Sequence, residues 1–160
     1  MPDWSRQFKD NDVHPQAVVD GHVIMGKGNK IGPFCVIGPD VVMGNNNVFV
    51  SDVSVGATAQ HKAHLHKPPG KVKIGSHNNF REFVTIHGGT VGHTWVGNNI
   101  LAMACAHISH DSHICSDVTM ANNVLLGGHT FVGRGANLGL GAIVHQFSIL
   151  GEYSMLGMGT

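Results

Sequence analysis

"IGPFCVIGPDVVMG", residues 31–44, sets an apolar side chain at Ile31, Ile37 and Met43, a glycine directly after each, and Cys35 and Val41 four positions after the first two. The repeat is six residues long. A helix would scatter these residues around its axis, and simple alternation has a period of two, so neither common element accounts for the pattern. A short strand followed by a corner in every hexad does. Glycine, asparagine and aspartate in "GKGN", "GNNN" and "GPD" suit such corners, because they tolerate left-handed backbone angles.

The series extends in both directions. Upstream lie Val13, Val19 and Met25, and downstream Phe49 and Val55. A second run holds Ile74, Phe80 and Ile86. After four extra residues a third runs from Val96 through Ala102, Ile108, Ile114, Met120, Leu126, Val132, Leu138, Val144 and Leu150 to Leu156. The position four after the apolar residue is small or aliphatic at Ala17, Val23, Val53 and Ala59, and is broken by Asn29 and Asn47. Long hexapeptide series mark parallel β-helices. A β-sandwich would show turn clusters every 8 to 12 residues with no fixed period. The expectation is one all-β domain over residues 1–160, a parallel β-helix with one protruding loop. That loop is "QHKAHLHKPPGK", residues 60–71, which breaks the period and gathers three lysines, three histidines, Pro68, Pro69 and Gly70. The excursion is predicted over 60–73, either as a solvated loop or as an arm reaching a neighbouring subunit or an anionic ligand.

Composition narrows the function. Only 12% of residues are charged and the formal net charge is zero, with 13 histidines and 22 glycines, and there is no basic stripe. Nucleic acid is not an expected partner. The start, "MPDWSRQFKDND", lacks an apolar leader core, and no apolar run matches a membrane span, which predicts a cytoplasmic protein. Cys35, Cys105 and Cys115 form no CxxC pair and read as reduced structural thiols.

Resemblance to the hexapeptide-repeat family implies three hexads per turn and hence coils of 18 residues, so residues 18 apart stack about 4.8 Å apart as neighbouring parallel strands. "AHISHD" (106–111), "LGGHT" (126–130) and "VHQF" (144–147) then fall at one edge of successive coils. His107, His110, Asp111, Gly128, His129, His145 and Gln146 become one patch. A histidine there can take a proton from an alcohol, and a carboxylate can hold its tautomer. His110 and Asp111 are adjacent, so they cooperate only at a corner, where strand alternation does not force them apart.

"HPQAVV", "IGPFCVIGPDV", "NNFREFVTIHGGT", "AHISHD", "ANNVLLGGHTFVG" and "AIVHQF" follow one another in an order and spacing that resembles the UDP-N-acetylglucosamine 3-O-acyltransferases, which begin lipid A biosynthesis. The resemblance covers roughly residues 13–160. It implies left-handed triangular coils, a homotrimer with active sites between subunits, and an acyl group carried on acyl carrier protein as donor to UDP-N-acetylglucosamine. It implies His110 as general base, Asp111 as its orienting group and the Gly128 N–H as oxyanion donor. His107, His129, His145 and Gln146 are implied as substrate contacts. Met158 is implied to line the acyl groove, where its bulk favours chains near ten carbons over fourteen. No cofactor and no metal enter this reading. The chain departs from the family at "IHGGT" (86–90), usually "IHRGT", and at "QHKAHLH" (60–66), where the family has a "QDLKY"-like arm. It stops at Thr160 within a hexad, without the family's later coils and C-terminal helical domain, so a fragment, a minimal paralogue or a chain completed by a partner is expected.

Other activities share this coil. One is a sugar O- or N-acyltransferase using acetyl-coenzyme A. Another is a zinc-dependent γ-type carbonic anhydrase, whose "IGMGA" segment "LGMGT" resembles and for which His107, His110 or His129 would supply ligands. A structural paralogue with a relict site is the third.

Overall fold

The computed structural model describes residues 8–160. Its twenty-two strands, most of two residues, form three parallel sheets, and each strand pairs with the third strand before and after it. That connectivity makes a three-sided β-helix. Coil-to-coil register is 18 residues over most of the length, as in Asp12↔Lys30, His107↔Leu125 and Leu125↔Ile143. It widens to 31 residues across the loop, where Asn79 pairs Val48, and to 22 where Thr85 pairs His107.

The apolar hexad series fills the interior. Ile31, Ile37, Phe49, Phe80, Ile86, Ile108, Ile114, Met120, Leu126 and Leu138 are fully buried, and Phe49 stacks on Phe80 with centroids 4.9 Å apart. Asn29 and Asn47, which break the apolar rule, are fully buried as well. They form a ladder: Asn29 Nδ2 donates to Asn11 Oδ1, Asn47 Nδ2 donates to Asn29 Oδ1, and Asn47 Oδ1 accepts from the Asn78 N–H, at 2.9, 2.9 and 3.1 Å. Each side-chain amide thus bridges two coils, meeting the requirement that buried polar groups be hydrogen-bonded.

Corners carry the positive φ the sequence calls for at Gly28, Asp40 and Asn46. The same angle occurs at Phe34, Phe83, Phe147 and Tyr153. Bulky side chains pay roughly 1–2 kcal/mol for it, so the stacked coils impose the corner rather than the residue choosing it.

The loop is shorter than the sequence suggests. Residues 60–73 are predicted outside the coil, but Lys71–Ile74 is already a strand, pairing Val41–Met43 on one side and His93–Val96 on the other. Lys71 and Lys73 belong to a sheet face, because the apolar Val72 and Ile74 alternate with them into the core. Within the loop, Lys62–His64 forms a single 3₁₀ turn. All three cysteines are free, Cys35 buried and Cys105 exposed. Among the described residues, no helix is long and apolar enough to cross a membrane.

Candidate active site

His110 and Asp111 follow the strand His107–Ile108, and Asp111 occupies the left-handed corner position with φ 58°. The corner is what lets adjacent side chains turn toward each other. His110 Nδ1 lies 2.9 Å from Asp111 Oδ2, and His110 is 7% exposed. A carboxylate only accepts, so Nδ1 carries the hydrogen and Nε2 keeps its lone pair for the cleft.

Asp111 is held in turn by the four extra residues that interrupt the hexad series. Its Oδ2 accepts from Thr90 N at 2.8 Å and Thr90 Oγ1 at 2.7 Å, and its Oδ1 from Gly92 N at 2.9 Å and Val91 N at 3.3 Å. The Asp111 N–H donates to Thr94 Oγ1, which donates to the His87 carbonyl. Burial by itself would raise the Asp111 carboxyl pKa, but the bonds from Thr90, His110 and Gly92 outweigh it and hold the group well below the usual carboxylate range. Asp111 is therefore a fixed anion beneath the imidazole.

Stacking by 18 residues brings Gly128 against His110. A Cβ on Gly128 would lie 2.5 Å from His110 Cε1 and 2.7 Å from Nε2, so only glycine admits the ring in this place. The Gly128 N–H donates to no acceptor among the described residues. His129 meets His110 edge-on at 5.2 Å between centroids, approaches Asp111 Oδ2 with Nε2 at 3.7 Å, and stacks on Phe147 at 4.7 Å.

His110 and Gly128 open onto a cleft of ≈ 410 Å³, lined also by His107, His145 and Gln146 with the apolar Leu125 and Ile143, while Asp111 and His129 stand behind His110 and do not line it. His107 bonds Thr85 Oγ1 through Nδ1 at 2.7 Å and packs on His87 at 4.7 Å. Burial, then the neighbouring His110, push the His107 pKa down, which favours the neutral ring. His145 is exposed, its Nδ1 lying 3.1 Å from the Gln146 carbonyl. Met158 stands apart from the His110 corner: it is 72% exposed, one coil beyond Leu140, at the opposite edge of the sheet that carries Leu125 and Ile143.

Donor atoms of His110, Asp111 and His129 lie within 4.8 Å of one another, close enough to share a cation. Five hydrogen bonds already fill the Asp111 oxygens, and His110 spends Nδ1 on one of them. The donor set fits a hydrogen-bonded base better than a metal centre.

Sequence comparison places the chain at 37% identity over 120 residues with acyl-[acyl-carrier-protein]–UDP-N-acetylglucosamine O-acyltransferase of Saccharophagus degradans, covering 62% of this chain and 46% of the relative. The Rickettsia canadensis enzyme of the same name matches at 36% over 65% of this chain and 47% of its own length. The fold superposes on LpxA from Acinetobacter baumannii with a TM-score of 0.82 at 30% identity, over 92% of this chain and 65% of that one. The chain is homologous to the UDP-N-acetylglucosamine O-acyltransferases. It spans about half the length of the curated acyltransferases it matches. UDP-N-acetylglucosamine O-acyltransferase from Moraxella catarrhalis superposes with a TM-score of 0.75 at 32% identity, over 91% of this chain and 65% of that one. The coil is the left-handed β-helix of these acyltransferase structures. No family model matches the chain.

Sequence reasoning brought the patch together but missed Thr90, Thr94 and His61. The first two had a signal, the four-residue break before Val96, which reads as an interruption and acts as the clasp around Asp111. His61 lines the cleft from the loop, its ring 5.9 Å from that of His110. The loop folds onto its own chain's site.

Proposed function

We propose that the chain transfers an acyl group, such as a 3-hydroxyacyl group, from acyl carrier protein to the 3-hydroxyl of UDP-N-acetylglucosamine. The observation that carries this is the Asp111-held tautomer of His110, which leaves a basic Nε2 in the cleft beside an unused Gly128 N–H. His110 Nε2 takes the hydroxyl proton as the oxygen attacks the thioester carbonyl. The Gly128 N–H stabilises the tetrahedral oxyanion. The intermediate collapses with cleavage of the C–S bond, and the thiolate recovers the proton from His110. No acyl-enzyme is needed: among the described residues no cysteine lines the cleft, and Ser109, the hydroxyl that does, bonds no base.

His107, His129, His145 and Gln146 contact the acceptor in this reading. An apolar strip supports an acyl path: Leu125 and Ile143 line the cleft, and exposed Leu140 and Met158 continue from them at the next corner. The working form is a cytoplasmic homotrimer, whose outer faces supply both subunit and ligand contacts. The sheet face carrying Leu125 and Ile143 also exposes Val18 and Val36, apolar area suited to a subunit partner. Offering UDP-N-acetylglucosamine with either 3-hydroxyacyl carrier protein or acetyl-coenzyme A tests the donor. Product from the carrier thioester is expected, and product from acetyl-coenzyme A alone would overturn the assignment. Sedimentation of a stable monomer at micromolar concentration would refute the trimer.

A further inference from the structure

The His-rich loop is anchored at both roots. At its return, a Cβ on Gly88 would lie 2.2 Å from the Gly70 carbonyl oxygen, and one on Gly70 would lie 2.1 Å from that of Gly89. The loop backbone presses on the "IHGGT" segment so closely that only glycines fit. At its start, Ala59 is buried, the His61 N–H donates to the Ala59 carbonyl at 2.8 Å, and the His64 N–H donates to the His61 carbonyl at 2.8 Å. His61 caps the 3₁₀ turn, and its Nδ1 accepts from the Ala63 N–H at 3.3 Å.

That cap fixes the His61 tautomer. With Nδ1 occupied as an acceptor, the neutral ring carries its hydrogen on Nε2. His110 is fixed the opposite way by Asp111, with hydrogen on Nδ1 and a lone pair on Nε2. The two rings meet at 80° with centroids 5.9 Å apart, and both line the cleft. One offers a donor and the other an acceptor. A hydroxyl needs this pairing, since it has one hydrogen to give and two lone pairs to receive, and hydrogen bonds near 2.8 Å let one oxygen bridge two such ring edges.

We propose that His61 is an acceptor-contacting residue, donating from Nε2–H to the same substrate hydroxyl that presents its proton to His110 Nε2. The proposal rests on His110 being the base. With one lone pair on His61 and the proton on His110, the hydroxyl's remaining lone pair is aimed for attack. An acceptor with no hydroxyl at that point, such as the 3-deoxy analogue, leaves the His61 donor unmatched and is discriminated against.

Two substitutions separate this contact from a role in holding the loop. His61→Asn keeps an oxygen that can cap the turn but does not reach as far as Nε2, whereas His61→Gln reaches with an amide N–H and caps poorly. Binding of UDP-N-acetylglucosamine by calorimetry needs no turnover and is read alongside the kcat/KM of acyl transfer. His61→Asn is expected to weaken both about tenfold, the scale of one neutral hydrogen bond, and His61→Gln to retain most of each. The reverse order, or equal affinity in all three proteins, overturns the contact. A ¹⁵N spectrum of the wild type above neutral pH is expected to show His61 as the Nε2–H tautomer, and an Nδ1–H signal overturns it as well. Absence of transfer with the binding order intact sinks the base assignment and leaves this contact standing.

Discussion

Gly128→Ala bears most sharply on how the site is built. Gly128 is not held at positive φ, so alanine meets no backbone penalty there. Its methyl would sit 2.5 Å from His110 Cε1, where an ordinary carbon contact is 3.4 Å or more, so the ring must retreat by about 1 Å. Retreat draws Nε2 away from the attacked hydroxyl and strains the 2.9 Å bond to Asp111. A 1 Å misplacement of a reacting group costs on the order of 10²-fold, about 2.7 kcal/mol of barrier. Forcing the buried ring aside should cost roughly 1–3 kcal/mol of stability, offset in part by up to about 1 kcal/mol because alanine restricts the unfolded chain more than glycine does. The assay is single-turnover acyl transfer beside a thermal melt. A cooperative melt lowered by a few degrees, with the transfer rate down about a hundredfold, is expected. A variant with wild-type kcat would show that the His110 ring is not seated on Gly128 during reaction.

Three further outcomes follow from particular contacts. Asn47→Ala removes a donor to the Gly75 carbonyl and the acceptor of the Asn78 N–H, both inside the coil, and should lower unfolding free energy in urea by roughly 2–4 kcal/mol; a loss under 1 kcal/mol would mean the ladder is replaceable by water. His87 is 5% exposed, its Nδ1 has no hydrogen-bond partner among the described residues, and burial, then His107 and His110, push its pKa down to about 4. Its neutral form is favoured by folding, so stability is complete above about pH 6.5, the unfolded value, falls as the unfolded chain takes up the proton, and levels near pH 4 after a loss of up to about 3 kcal/mol. His87→Phe should flatten that slope, and an unchanged slope would place the acid sensitivity elsewhere. Met158→Gly should extend the acyl preference from near ten carbons toward fourteen, since each methylene readmitted is worth about 0.8 kcal/mol; an unchanged chain-length profile would show that another residue sets the groove.

The coil was legible because a period of six survives in the identity of single residues: Ile31, Ile37 and Met43 point inward whatever surrounds them. The stacking of His110, Gly128 and Gln146 followed from that period together with the three hexads per turn that the resemblance implies. Asn29 and Asn47 looked like faults in that pattern because their role depends on neighbours one coil away, which no local rule displays. The clasp around Asp111 was hidden for a related reason: Val91 and Gly92 act through backbone N–H groups, which every residue has, and the Thr90 and Thr94 hydroxyls act on a residue one coil away. The loop boundary was misplaced because Lys71 and Lys73 read as loop residues, although alternating Val72 and Ile74 already mark a strand. His61 was lost in a segment whose composition says only that it leaves the coil.

The role of His110 is tested by a paired measurement of acyl transfer from 3-hydroxyacyl carrier protein to UDP-N-acetylglucosamine by the wild type and by His110→Ala, with product mass and position read by mass spectrometry and NMR. The wild type is expected to give 3-O-acylated product and the variant a rate lower by about 10²- to 10⁴-fold, the range for loss of a general base, with the fold intact. Near-wild-type turnover by His110→Ala would contradict that role.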